Sequence, residues 1–167
     1  MGLDMYLYKK HYIGNQYRKE EEKVKVILPE TQEDVLFPVE NIQEDRISDI
    51  TEEVAYWRKS NQIHNWFVNN VQDGEDDCGN YYVSNENLTT LVNLCKSTLE
   101  LLDKSEKDED GTFIINEEDI ELQTTAGFFF GNTEYNQYYY DDLKDTIEQL
   151  EPLLEDEVGD YEYSSSW

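Results

Sequence analysis

"SDITEEVAYWRKSNQIHNWFVNNVQDG", residues 48 to 74, decides how the fold is read, because the spacing of its apolar residues first matches a helix here. Tyr56, Ile63, Phe67 and Val71 fall on one helical stripe, and Val54, Trp57, His64 and Val68 on the adjoining one. Adjoining stripes make one wide apolar face. A single long helix is therefore expected, started by Ser48 or Asp49 with Glu52 in its first turn and left through Gly74, where a positive φ suits glycine.

Upstream the period is two. "GLDMYLYKK" sets Leu3, Met5 and Leu7 on one face and Asp4, Tyr6 and Tyr8 on the other, as in a half-buried strand. "KVKVIL", residues 23 to 28, repeats the alternation, and "DVLFPV", residues 34 to 39, is a third strand candidate that Pro38 confines to a sheet edge. Downstream, Ser84 is a good cap for a helix carrying Leu88, Leu91, Val92, Cys95, Leu99 and Leu102. "GFFFG" makes an apolar turn, after which Asn132 or Thr133 caps a third helix with Tyr135, Tyr139, Leu143, Ile147 and Leu150 near one face. Pro152 interrupts that helix. These elements predict an α+β fold, a small N-terminal antiparallel sheet packed against about three α-helices. Residues 1 to 154 are expected to form a single domain and residues 155 to 167 an acidic, flexible tail.

Charge narrows the partners. The net charge is -26, and residues 60 to 167 hold 26 of the 39 acidic groups but only 4 of the 13 basic ones. Such a field repels phosphate backbones and anionic lipids, which argues against direct nucleic-acid binding and against a membrane, and favours a protein partner with a basic surface. No apolar run approaches the roughly 20 residues of a bilayer span, and the N-terminus lacks the order of a signal peptide. Cys78 and Cys95 are read as free thiols of a reducing compartment.

"MGLDMYLYKK" at the start, "VAYWRKSNQIHNWFVNNVQDGEDDCGNYYVS" over residues 54 to 84 and "GFFFGNTEYNQYYYDDLKDTIEQLE" over residues 127 to 151, in that order, resemble a family of small phage- and prophage-encoded proteins. The resemblance implies a phage origin and a place in the host cytoplasm, and brings no activity with it. It leaves residues 11 to 50, 103 to 123 and the C-terminus uncovered.

Three constellations are candidates for function. Trp57, Arg58, His64, Asp73, Asp77 and Tyr81 could converge on a small ligand, with Trp stacking and Arg58 pairing an anion, and the acidic loop with Cys78 could add a metal or a thiol nucleophile. The plainer account makes residues 69 to 84 a helix connection and His64 a hydrogen-bonded core residue. Glu106, Asp108, Asp110 and Glu117 occupy positions one, three, five and twelve of a calcium loop counted from Gly111 as six, although position one is Glu and position nine is apolar. An acidic hairpin loop is the alternative. Tyr135, Tyr138 and Tyr140 offer interface area on the third helix.

The leading expectation is a phage-encoded acidic binding protein that engages and inhibits a host protein, in host takeover or anti-defence, with nucleic-acid mimicry as one mode. It needs no catalysis and no cofactor. The alternative is a small-ligand protein that sequesters or acts on a nucleotide-derived or metal ligand, with Ca2+ or another divalent cation as the candidate ion, through the Trp57, His64, Asp73 and Asp77 region.

Overall fold

The computed structural model describes residues 2–25, 42–127, 129–155 and 159–167. The fold is α+β. Strands β1 (Asp4–Tyr12), β2 (Asp49–Arg58), β3 (Asn80–Val83) and β4 (Tyr161–Ser166) form one sheet in the order β2-β1-β4-β3. Helices α1 (Asn61–Asn70), α2 (Asn85–Leu102) and α3 (Gln137–Leu150) complete it. The chain divides into two compact units, one of Met1–Lys9 with Glu53–Trp167 and the other of Lys10–Glu52.

The expected long helix from residue 48 is two elements. Asp49–Arg58 is strand β2, and only Asn61–Asn70 is helical. Within 54–57 both periods fit the sequence, but Ala55 and Trp57 are buried while Tyr56 is exposed, which is alternation. β-branched and aromatic residues at Ile50, Thr51, Val54, Tyr56 and Trp57 favour the pleated backbone. Lys59, at φ 61, turns the chain out of the strand and Ser60 precedes the helix. The helix thus starts about a dozen residues later than the stripe of apolar residues suggested.

The C-terminal segment is also corrected. Far from a flexible tail, β4 lies between β1 and β3, antiparallel to both, with Leu7 opposite Tyr163 and Val83 opposite Tyr161. Its burial alternates, Tyr161, Tyr163 and Ser165 inward. Acidic composition suggested solvent exposure, yet the charges of this segment lie on the outward positions or before the strand.

Leu3 just before β1, Met5 and Leu7 of β1, Ala55 and Trp57 of β2, Val83 of β3 and the β4 tyrosines build the sheet side of the core. Ile63 and Phe67 of α1, Leu88, Leu91, Val92 and Cys95 of α2, and Tyr139, Leu143 and Leu150 of α3 build the helix side. Phe67 stacks flat on Tyr163, with centroids 3.9 Å apart. The outward positions of the same strands carry Tyr6, Tyr8, Tyr56 and Tyr82.

Ser84 caps α2 as expected, in a reciprocal pair with Asn87. The cap of α3 is Asn136, so the chain enters that helix four residues later than Asn132 and Tyr135 stays outside it. The helix ends at Leu150 and the Pro152 segment continues as a 3-10 turn, Glu151–Glu155. In the second unit, Asn15 is buried and its side chain binds both backbone groups of Val24, at 2.8 and 3.0 Å, so this part of the expected 23–28 strand pairs with a side chain instead. The rest of that strand, and all of the 34–39 strand, lie outside the described residues.

Candidate functional site

The turn between β2 and α1 organises the site. The Lys59 N–H donates to the Leu3 carbonyl at 2.8 Å and the Lys59 carbonyl accepts from Asn61 at 2.9 Å, which fixes the left-handed turn. Asn61, 2% exposed, then uses its whole amide. Its Nδ2 donates to the carbonyls of Phe130 (3.1 Å) and Asn132 (2.8 Å), and its Oδ1 accepts from the Thr125 N–H (2.9 Å). One side chain thereby clamps the loop between α2 and α3 onto α1. Gly131, at φ 91, sits so close that a Cβ there would meet the Lys59 carbonyl at 3.3 Å. Only glycine satisfies both the conformation and the approach.

Two clefts border this clamp. The first, about 420 Å³, is lined by Arg58, Lys59, Gln62, Glu134, Tyr138 and Asp142 among others. Burial pushes the Asp142 carboxyl above its ordinary range, opposed by hydrogen bonds from Gln62, whose Nε2 is 3.0 Å away, and Ser60. The second, about 360 Å³, is lined by His64, Asp76, Gly127, Phe130 and Trp167.

His64 is buried and both its nitrogens are engaged. Nε2 lies 3.0 Å from an Asp76 oxygen and Nδ1 lies 2.7 Å from the Tyr163 hydroxyl. Burial raises the Tyr163 phenol well above its ordinary range, so it meets Nδ1 as the protonated hydroxyl. The other Asp76 oxygen accepts from Trp167 Nε1 at 3.0 Å, and Phe130 places its ring edge-on to His64. Both ring nitrogens are thus occupied by protein partners. This is the hydrogen-bonded core histidine of the plainer reading.

The six residues expected to converge do not. Trp57 is buried and donates to Thr146 at 3.0 Å, in the core. Arg58 faces the first cleft, with its Nε 3.9 Å from Asp4. Asp73, at φ 54, is exposed in the turn after α1. Asp77 accepts from the Gly79 N–H and the Tyr81 hydroxyl, each at 2.8 Å, and these bonds hold its carboxyl below the usual range. Asp77 and Tyr81 therefore build the connection to β3, and Asp76 is the carboxylate that reaches His64. Cys78 is exposed and Cys95 buried, both as free thiols.

The calcium-loop spacing forms a hairpin turn. The Asp108 carboxylate accepts from the N–H groups of Asp110 (3.0 Å) and Thr112 (2.9 Å), Lys107 bridges to Phe113, and Glu117 starts a separate 3-10 turn. Glu106 gives its carbonyl to the Ile114 N–H. Among the described residues no group of three or more His, Cys, Asp or Glu side chains is placed to hold a metal ion.

The three tyrosines expected to share a docking face are likewise separated. Tyr135 is buried against Tyr139, Tyr140 stacks on Phe113 and donates to Asp103, and Tyr138 alone of the three is fully exposed.

Compared with protein-family models, curated proteins and solved structures, the chain matches none. The structure itself adds Lys59, Asp76, Asp142, Tyr163 and Trp167 to the residues worth testing. A period of two in "YEYSSS" was the signal for Tyr163; nothing local marks Asp76 over its acidic neighbours.

Proposed function

We propose that this chain is an acidic binding protein, phage-encoded as its sequence resemblance implies, that engages a basic surface of a host protein and inhibits it. The observation that carries the reading is the outward face of the sheet. Tyr6 stacks on Tyr8 and packs against Tyr56, whose hydroxyl donates to Asp4 at 2.5 Å. Tyr82, 63% exposed, stands beside Glu162 in the β3–β4 register. Tyr56 is exposed as well, and Tyr6 and Tyr8 are half-buried.

Tyrosine gives large contact area at low entropic cost, and its ring face attracts Lys and Arg. Asp4 and Glu162 supply carboxylates at the same surface for those cations. The net charge of -26 steers a basic partner toward it and excludes anionic ones.

The test is affinity capture from host lysate at low and high salt, with Tyr82→Ala and Tyr6→Ala as comparisons. A partner held through this face is basic, dissociates as salt rises, and binds the variants at least tenfold more weakly, as expected where each ring contributes about 1.5–3 kcal/mol. A partner retained equally by both variants places the interface elsewhere.

A further inference from the structure

The cleft at the β2–α1 turn carries charge of both signs in a chain that is otherwise strongly acidic. Arg58 and Lys59 supply cations, although among residues 60 to 167 there are only 4. Among the described residues Lys59 makes no ion pair, and Arg58 has only the 3.9 Å approach to Asp4. Both belong to the 54–84 block, and Lys59 is held in a conformation unfavourable for a side-chain-bearing residue. Elsewhere around the cleft stand Glu134 and Asp142, Asp142 being the more enclosed. Its hydrogen bonds come from neutral groups, Gln62 and Ser60, and among the described residues it makes no ion pair.

A lysine without an ion pair, an arginine with only a distant one, and an enclosed carboxylate bonded to neutral groups are complementary to a ligand that carries both charges. A zwitterion is also neutral overall, so the -26 field that repels free phosphates does not oppose its approach. Tyr138, exposed at the rim, can cover an aromatic or aliphatic side chain. The volume, about 420 Å³, lies at the lower end of the ordinary range for small-molecule sites, roughly 300–1,000 Å³.

We infer that this cleft binds a small zwitterion, a free amino acid or the termini of a short peptide, with its carboxylate at Arg58 and Lys59 and its ammonium at Asp142. Arg58 lies at the margin of the tyrosine face, two residues after Tyr56, but the inference does not depend on that face binding a partner.

The full chain is titrated, by calorimetry and by thermal unfolding, with L-phenylalanine and with glycyl-L-phenylalanine, which distinguish a free amino acid from a peptide. N-acetyl-L-phenylalanine carries only the anion, phenethylamine only the cation, and adenosine monophosphate tests a phosphate. At a concentration about ten times Kd, at least one zwitterion raises the melting temperature by several degrees, and each single-charge compound binds roughly tenfold or more weakly. Arg58→Ala and Asp142→Asn weaken the zwitterion by about tenfold or more each. The amide introduced by Asp142→Asn keeps an acceptor oxygen for Gln62, and an unchanged ligand-free melting temperature shows that the fold is retained. Tyr82→Ala, on the sheet face, leaves the affinity unchanged. The inference is overturned if neither zwitterion binds, if a single-charge compound or the nucleotide binds as tightly, or if Arg58→Ala and Asp142→Asn both leave affinity intact.

Discussion

His64 Nε2 and the Asp76 carboxylate meet at 3.0 Å across the end of α1, and the same carboxylate accepts from Trp167, the final residue of the sequence given. One acidic side chain therefore ties the helix, the acidic connection and the end of β4 together. Asp76→Ala leaves the buried imidazole without its acceptor and frees Trp167, and a cost of roughly 1.5–3 kcal/mol is expected for lost hydrogen bonds to a charged group. Asp76→Asn, which still accepts at one oxygen, should lose less. Urea denaturation of the two variants against wild type gives the comparison, and equal stability of all three would mean that Asp76 contributes nothing to this junction.

Deletion of Tyr161–Trp167 is expected to abolish cooperative unfolding altogether. The strand pairs with β1 on one side and β3 on the other, and Tyr161 and Tyr163 are both fully buried. Removing it leaves two unpaired strand edges and a cavity where two aromatic rings stood, each large-to-small loss alone being worth about 3–5 kcal/mol. That exceeds a large part of the typical stability of a domain, about 5–15 kcal/mol. Circular dichroism on heating distinguishes the outcomes: a sharp transition near that of the full chain would make the segment dispensable.

Strong periodicity over a long segment was readable, and ambiguity over a short one was not. Helix α2, with eighteen residues and a Ser84 cap, and strand β1, with clean alternation at Met5 and Leu7, stand where the sequence puts them. At Val54–Trp57 four residues fit both periods, and the apolar stripe of α1 extended falsely into β2. Tertiary pairing with β1 decides that segment, and no local pattern reports it. In the candidate site the missing information was geometric: Asp73, Asp76 and Asp77 are chemically alike, and only the positive φ at Asp73 and the Asp77–Tyr81 bond turn two of them away from His64.

Alkaline pH should destabilise the protein through groups kept neutral by burial. Desolvation raises Cys95 to about 12 from 9.0, and raises the Tyr139 and Tyr163 phenols above their usual values. A raised value means that the folded state holds the proton more tightly than the unfolded chain. The stability that these groups contribute is complete below about pH 9 and declines as pH rises toward 12, because only the unfolded chain ionises freely there. A melting temperature that falls between pH 9 and 11, more steeply than for Cys95→Ala, checks the thiol's share. At pH 8 a thiol reagent should modify one equivalent quickly, at exposed Cys78, and Cys95 only on unfolding. Two fast equivalents would contradict the burial of Cys95.

The Lys59 backbone gives the last prediction. At φ 61 a residue with a Cβ costs roughly 1–2 kcal/mol over an unstrained one, while glycine in the unfolded chain forfeits about 0.5–1 kcal/mol in entropy. The two effects leave Lys59→Gly neutral or more stable by up to about 1.5 kcal/mol. Lys59→Val, β-branched and stiff in the same turn, should be less stable than either by about 1 kcal/mol or more. The order Gly, Lys, Val in denaturation midpoints is the expected result, and a glycine variant markedly less stable than wild type would show that the lysine side chain holds this turn. Because the same change removes a cation from the cleft, stability retained together with a loss of zwitterion binding would separate what Lys59 does for the fold from what it does for the ligand.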